Sequence, residues 1–268
     1  AQKYLQRQLI HYAGDIETQA YDEGVDVDEL MQHAEGELFQ LSQGNMKQDY
    51  TQIDPVIKDA VDILQRAAQN KGGLTGIPTG YQQMDDMTSG WQPSDLVIIA
   101  GRPAMGKTSF ALSIAKNVAV DHGVPIGFFS LEMNNVQLVN RLISNVCEIS
   151  GKKILNGQLD PSEWERLDKK IRSLTGAPIY IDDTPGLSVF ELRTKARRLV
   201  REKGVKLLMI DYLQLMNANG MKFGSRQEEV STISRSLKGL AKELNIPVLA
   251  LSLFYPGRCP GLGAFALS

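Results

Sequence analysis

The chain has 268 residues, 43% of them hydrophobic and 22% charged, with a formal net charge of −2 at pH 7. That length fits one large domain, or one domain with an appendage, and the near-neutral balance excludes a uniformly basic nucleic-acid binder while leaving room for a local basic channel. No run approaches the roughly 18 apolar residues of a membrane span. The polar N-terminus carries no leader-like apolar core either. Cys147 and Cys259 stand apart without metal-ligand spacing, which predicts a reducing, cytoplasmic setting. The sequence opens at Ala1 in mid-pattern and is expected to be a fragment.

Residues 1–50 read as helical and acidic. Leu5, Leu9 and Tyr12 keep a helical spacing, with Gly14 a point where the helix can break. A second stripe runs through Leu30, Ala34, Leu38 and Leu41. Asp26 or Asp28 suits its N-cap. His11 and His33 stand alone and read as surface or packing residues. Residues 51–74 hold a helix that starts at Asp54-Pro55, a cap followed by proline at the first helical position, and ends near Asn70-Lys-Gly-Gly73. Its stripe of Val56, Ile57, Val61 and Leu64 must be buried, either on its own domain or on a neighbouring subunit.

From Thr75 the pattern alternates strand with helix. Strands are predicted at 95–100, 125–130, 179–181, 206–210 and 247–251. Helices follow each of the first four, and Asp160-Pro-Ser-Glu163 opens one more with a capping box. Five strands separated by helices predict an α/β fold, a doubly wound and mostly parallel sheet over 75–252. Ligands on such sheets sit outside the carboxyl ends of the strands.

The first of those ends carries Gly101-Arg102-Pro103-Ala104-Met105-Gly106-Lys107-Thr108, the G-x-x-x-x-G-K-T phosphate-binding loop (P-loop), and Ser109 follows it. Strand, glycine loop and helix is the context the motif requires. Its backbone N–H groups and the helix N-terminus cradle phosphates. Lys107 reaches the β- and γ-phosphates of ATP, and the Thr108 hydroxyl holds Mg²⁺. Asp211 closes an apolar strand and fits an Mg²⁺ role, with a strand-end turn cap as the alternative. Glu132 follows Phe128-Phe-Ser-Leu131 and fits a group that orients attacking water; a solvated glutamate at a helix start is the alternative. Asp182-Asp183 precede Thr184-Pro-Gly186 and read as turn chemistry.

Two basic stretches remain. Arg193, Lys195, Arg197, Arg198, Arg201 and Lys203 spread around their helix, as on a solvated outer face. In the loop after Asp211, Lys222, Phe223 and Arg226 suit contact with a phosphate backbone and a base of single-stranded DNA. The composition is equally that of an ordinary surface loop.

Several stretches together resemble the bacterial replicative DNA helicases of the DnaB family, over about residues 15–252. They are Gly76-Ile-Pro-Thr-Gly-Tyr81, the phosphate loop, Phe129-Ser-Leu-Glu-Met133 with Gln137 and Arg141, Ile181-Asp-Asp183, Ile210-Asp-Tyr-Leu-Gln-Leu-Met216 and Ile233-Ser-Arg-Ser-Leu-Lys238. The resemblance implies a RecA-like motor that assembles as a homo-hexamer, hydrolyses ATP between subunits and unwinds duplex DNA 5′ to 3′ at a replication fork. It implies single-stranded DNA, primase and a helicase loader as partners, in bacterial cytoplasm beside the nucleoid. Residues 1–50 would then be the remnant of a helical N-terminal domain, and 51–74 a linker helix docking on the adjacent subunit. Arg141 becomes a further nucleotide-contacting residue on the same ground alone.

The sequence departs from that family after Leu251. Where the family has Ser-Gln-Leu-Asn-Arg, its glutamine sensing the γ-phosphate, this chain has Ser252-Leu253-Phe254-Tyr255 and then a Pro- and Gly-rich tail. Residues 253–268 are therefore expected to be aberrant or truncated sequence, without the arginine finger and main DNA loops. The expected consequence is nucleotide binding with impaired hydrolysis. A RecA-type recombinase and a non-catalytic assembly module of a ring are the competing readings.

Overall fold

The structure, a computed structural model, describes residues 2–22, 24, 27, 30, 33–34, 37–38, 53–69, 74–217, 226–253 and 265–267. Helix α1, Gln2–Ala20, runs unbroken through Gly14, so the glycine does not end it. The Tyr12 hydroxyl donates to the Ala34 carbonyl at 2.8 Å. Helix α2 spans Ile53–Gln69. Ile53, Ile57, Val61 and Leu64 form one stripe along it and are 43–68% exposed, so the stripe is not covered by the described residues of this chain.

The remainder winds around one sheet. In chain order come α3 (Gln82–Thr88), β1 (Leu96–Gly101), α4 (Lys107–Lys116), β2 (Ile126–Ser130), α5 (Asn135–Cys147), α6 (Gly151–Asn156) and α7 (Pro161–Leu174). Then follow β3 (Ile179–Asp182), α8 (Val189–Lys203), β4 (Leu207–Asp211), α9 (Arg226–Leu244), β5 (Val248–Leu253) and β6 (Phe265–Leu267). The strand order is β3-β2-β4-β5-β1-β6. β1 to β5 pair in parallel, as their apolar runs predict. β6 was not foreseen: it pairs antiparallel on the outer edge of β1, with Ile98 opposite Ala266.

Successive strand residues feed opposite cores because side chains alternate across a pleated sheet. Phe129, Leu208, Ile210, Val248 and Ala250 join Leu192, Ala196, Ile233 and Leu237 of α8 and α9 on one face. Phe128, Leu207, Met209, Leu249 and Leu251 join Ala111, Ile114, Leu138 and Leu142 of α4 and α5 on the other. β2 and β4 are buried at every residue, which is why they read as unbroken apolar runs rather than alternating ones. Helix starts follow the sequence signals. Asp160 and Glu163 form a reciprocal capping box at α7. The Asn134 and Ser188 side chains accept from the Gln137 and Glu191 N–H groups at α5 and α8.

The stretch before β1 is closed on itself by its backbone. Ile77 and Trp91 exchange both N–H···O bonds at 2.9 Å. A Cβ on Gly76 would stand 2.4 Å from the Trp91 carbonyl oxygen, so only glycine allows this approach. The buried Asp85 carboxylate accepts from the Thr79 and Gly80 N–H groups at 2.7 and 3.2 Å, and the Tyr81 ring packs 5.4 Å from that of Phe110. The segment thus clamps the outside of α4, the helix that leaves the phosphate loop.

Candidate functional site

β1 delivers Gly101 to the carboxyl edge of the sheet, and the chain reverses over Arg102–Met105, where the Met105 N–H meets the Arg102 carbonyl at 3.3 Å. Ala104 (φ 63°) and Gly106 (φ 79°) take left-handed backbone. Left-handed residues set within a turn are the pattern from which anion-binding nests are made. A Cβ on Gly106 would meet nothing within 4 Å, so glycine is needed there for its dihedral and not for space. α4 begins at once with Lys107, directing its positive dipole end at the loop. The Lys107 ammonium folds over the loop and donates to the Gly101 and Arg102 carbonyls at 3.0 and 3.2 Å. Met105 is 74% exposed.

Two neighbouring strands bring acidic groups to the same edge. Ser130 of β2 stands in register with Asp211 of β4, and the Leu131 N–H donates to the Asp211 carbonyl at 2.8 Å. Beyond it the chain turns so that Glu132 is exposed. The Ser130 hydroxyl holds that turn, donating to the Met133 carbonyl at 2.6 Å and accepting from the Met133 N–H at 3.3 Å. Asp211 is 1% exposed, and neither carboxylate oxygen has a hydrogen-bond partner. Burial pushes its carboxyl above the usual carboxylate range; the nearby Thr108 hydroxyl opposes this, Glu132 adds to it, and Lys107 and Arg141 oppose it. An orphaned buried carboxylate is costly, and native proteins retain few of them without a ligand or ion to receive.

One cleft of about 580 Å³ gathers Lys107, Thr108, Ser109, Glu132 and Arg141, with Tyr212 and Leu253 completing its walls. Asp211 lies beneath, at the strand end immediately before Tyr212. The sequence-predicted residues of the phosphate site are therefore brought to one edge. Tyr212 and Ser130 were missed, whereas Leu253, the last residue of β5, stands where the family resemblance implies the glutamine. Tyr212 follows directly on the end of β4, the one signal that could have found it.

The other candidates fall elsewhere. Lys222 and Phe223 lie outside the described residues, and Arg226 is the first residue of α9. The basic helix α8 spends its charge locally: Arg193 and Arg197 pair with Glu243 of α9, and Lys195 with Asp182 at 2.9 Å. Asp182 also accepts from the Thr184 N–H at 3.0 Å, while Asp183 accepts from the Asn135 N–H at 2.9 Å and so holds the start of α5. Among the described residues no group of three or more His, Cys, Asp or Glu side chains is placed to hold a metal. No helix among them is long and apolar enough to cross a membrane.

Residues 76–255 match the model of the DnaB-like helicase C-terminal domain. The chain belongs to the DnaB-like helicase family. It is 42% identical over 251 residues to the replicative DNA helicase DnaB of Geobacillus stearothermophilus, covering 94% of this chain and 55% of the relative. Identity to the replicative DNA helicase DnaC of Bacillus subtilis (strain 168) is 41% over 251 residues, again 94% and 55%. The chain thus spans about half the length of these DnaB-like relatives. Among solved structures it superposes on an isolated ATPase domain with a TM-score of 0.70 at 36% identity, covering 78% of this chain and 73% of that one. It also matches a DnaB-like replicative helicase solved in a study of its interactions with primase, at TM-score 0.68 and 32% identity, covering 95% and 59%. The parallel sheet with helices on both faces is the RecA-like arrangement of that family.

Proposed function

We propose that this chain is the nucleotide-binding motor segment of a replicative DNA helicase, and that it binds ATP with Mg²⁺ but turns it over poorly. The observation that carries this reading is Asp211, buried without a partner at the edge where the phosphate loop, Glu132 and Arg141 converge. The loop N–H groups and the α4 terminus hold the β- and γ-phosphates, and Lys107 exchanges its two backbone carbonyls for phosphate oxygens. Thr108 and Asp211 fit Mg²⁺, which keeps most of its shell as water and phosphate oxygen and needs only one or two protein carboxylates. That ion, when bound, neutralises charge developing on the transferring phosphoryl group. Glu132 reaches into the cleft from an exposed turn and orients the attacking water. Arg141 supplies a further cation to the phosphates.

Impaired turnover follows from Leu253. It lines the cleft at the end of β5, where the family resemblance implies a glutamine, and it brings no hydrogen-bonding side chain to the γ-phosphate. In the whole protein, we infer, six copies form a ring around single-stranded DNA, with primase and a loader as partners and 5′–3′ unwinding as the output. The uncovered stripe of α2 supports docking of residues 51–74 on a neighbouring subunit, beside a helical remnant in 1–50. Strand-separation and DNA-stimulated ATPase assays on the 268-residue chain test the reading. Nucleotide binding with turnover near background supports it, and steady unwinding refutes the impairment.

A further inference from the structure

β3 is one edge of the sheet: among the described residues it has β2 on one side and no strand on the other. Register fixes which of its backbone groups face outward. Ile126 stands opposite Ile179 and its N–H donates to the Pro178 carbonyl at 2.9 Å, so Pro178, Tyr180 and Asp182 serve the ladder to β2. Ile179 and Ile181 point the other way. The Ile179 N–H is spent on the Ala177 carbonyl at 2.8 Å, whereas the N–H and carbonyl of Ile181 have no backbone partner among the described residues. Beside this edge runs a groove of about 300 Å³ whose wall joins Tyr180, Ile181 and Leu199 to the exposed Arg198 and Lys203 of α8. Lys195, also in the wall, is already paired with Asp182 and Glu191, at 2.9 and 3.2 Å. Towards the end of α8 cations outnumber carboxylates. Arg198 and Arg201 share Glu202, at 3.1 and 3.9 Å, and Lys203 pairs with no carboxylate among the described residues. Its ammonium lies instead 5.8 Å from the centre of the Tyr180 ring. We propose that β3 and this groove dock an extended acidic peptide of a partner protein, added to the sheet as a further edge strand.

The groove shares no lining residue with the phosphate cleft, so this surface stands apart from the nucleotide chemistry. An added strand brings its own carbonyl and N–H to the two open groups of Ile181, the main-chain part of strand addition. Its side chains alternate between the faces of the sheet as those of β3 do. Tyr180 and Asp182 lie on the α8 face, so every second residue of the peptide falls on the side of Arg198 and Lys203, where a carboxylate meets unbalanced cations. The residues between fall beside Ile179 and Ile181, which pack on the opposite core, and suit aliphatic side chains. A second copy of this chain fits less well, because pairing β3 with itself sets the like charges of two α8 helices against each other. A single-stranded DNA backbone meets the cations but brings no donor to the Ile181 carbonyl.

Fluorescence anisotropy of the full chain with a short labelled peptide of alternating valine and glutamate, at neutral pH, tests the assignment. Two control peptides separate its parts: one alternates valine with lysine, and the other keeps the valine–glutamate sequence with every backbone nitrogen methylated. Saturable binding of the first peptide is expected, with each control weaker by about tenfold or more. Ile181→Pro removes the outward N–H and leaves the ladder to β2 alone, a place where edge strands accept proline. The double variant Arg198→Glu/Lys203→Glu reverses the charge of the groove. Each variant should weaken the peptide by about tenfold. Should Ile181→Pro not fold, by circular dichroism, the methylated peptide decides the backbone part alone. No binding of the valine–glutamate peptide overturns the proposal, as does equal binding of either control or full affinity in the charge-reversed variant. A dimer by light scattering that Ile181→Pro dissolves also overturns it, and gives the edge to a second copy. A single-stranded oligonucleotide that binds the parent but not the charge-reversed variant, with the peptide unbound, gives the groove to nucleic acid instead.

Discussion

Asp211→Asn should move stability and ligand binding in opposite directions. The carboxylate is 1% exposed, both its oxygens are unpaired, and burial holds its proton more tightly than in the unfolded chain. A group whose folded pKa is raised favours folding at low pH and opposes it progressively as pH climbs through the raised value. At pH 7 the parent therefore carries an unfavourable term that a neutral amide of the same shape removes in large part. An unsatisfied buried polar group costs about 1–3 kcal/mol, and a charged one more, so the variant should gain about 1–2 kcal/mol. For a domain of this size that raises Tm by roughly 2–8 °C. The gap should be widest at pH 7 and close as pH falls towards the ordinary aspartate value of 3.8. In the same variant the Mg²⁺-dependent part of ATP affinity should fall by about tenfold or more, since Mg²⁺ loses its protein carboxylate. Calorimetry without ligand, over pH 4–8, and ATP titrations with and without Mg²⁺ read the two effects. A destabilised Asp211→Asn with normal Mg²⁺ dependence would refute the reasoning, since it would make Asp211 an ordinary strand-end cap.

Three further outcomes follow from the same structure. Burial pushes the Glu243 carboxyl up, but hydrogen bonds from Arg197 and Arg193 outweigh it and leave the group below its usual range. Its stabilising contribution is present at neutral pH and is lost progressively as pH falls from about 4.5 through the lowered folded value, so Glu243→Gln should cost about 1 kcal/mol at pH 7, discounted for partial exposure, and progressively less as the pH of urea unfolding is taken below 4.5. Phe129→Ala, at a side chain with no exposed surface between β2 and α8, should cost about 3–5 kcal/mol in the same assay. Leu253→Gln places a hydrogen-bonding group at the cleft wall and should raise the ratio of ATP to ADP affinity by about tenfold; an unchanged ratio would remove Leu253 from the account of weak turnover.

What the residues disclosed depended on how local each signal was. β1, β2, β4 and β5 lay within a residue or two of their predicted bounds because a strand buried on both faces needs unbroken apolar residues. α7 was legible from Asp160-Pro-Ser-Glu163, whose capping box forms between those four residues alone. α3 and α6 went unread: at 7 and 6 residues they are too short to show a helical period. β6 went unread because Phe265–Leu267 pairs with β1, a contact far away in sequence. In the site, Gly101–Thr108 was legible because the chemistry is contiguous. The burial of Asp211, the hold of Ser130 on the Glu132 turn and the place of Leu253 arise from strand register. Arg141 was reached through family resemblance, since one arginine on an amphipathic helix carries no signal of its own.

The central claim is that Gly101–Thr108 is a working phosphate site in this chain. Its most direct test is equilibrium titration of the 268-residue protein with a fluorescent ATP analogue and Mg²⁺, beside Lys107→Ala at equal thermal stability. Saturable, Mg²⁺-dependent binding by the parent, weakened about a hundredfold in Lys107→Ala, is the expected result, equivalent to the roughly 3 kcal/mol of a charge-assisted contact to phosphate. Absent binding by the folded parent, or equal binding by both proteins, would contradict it.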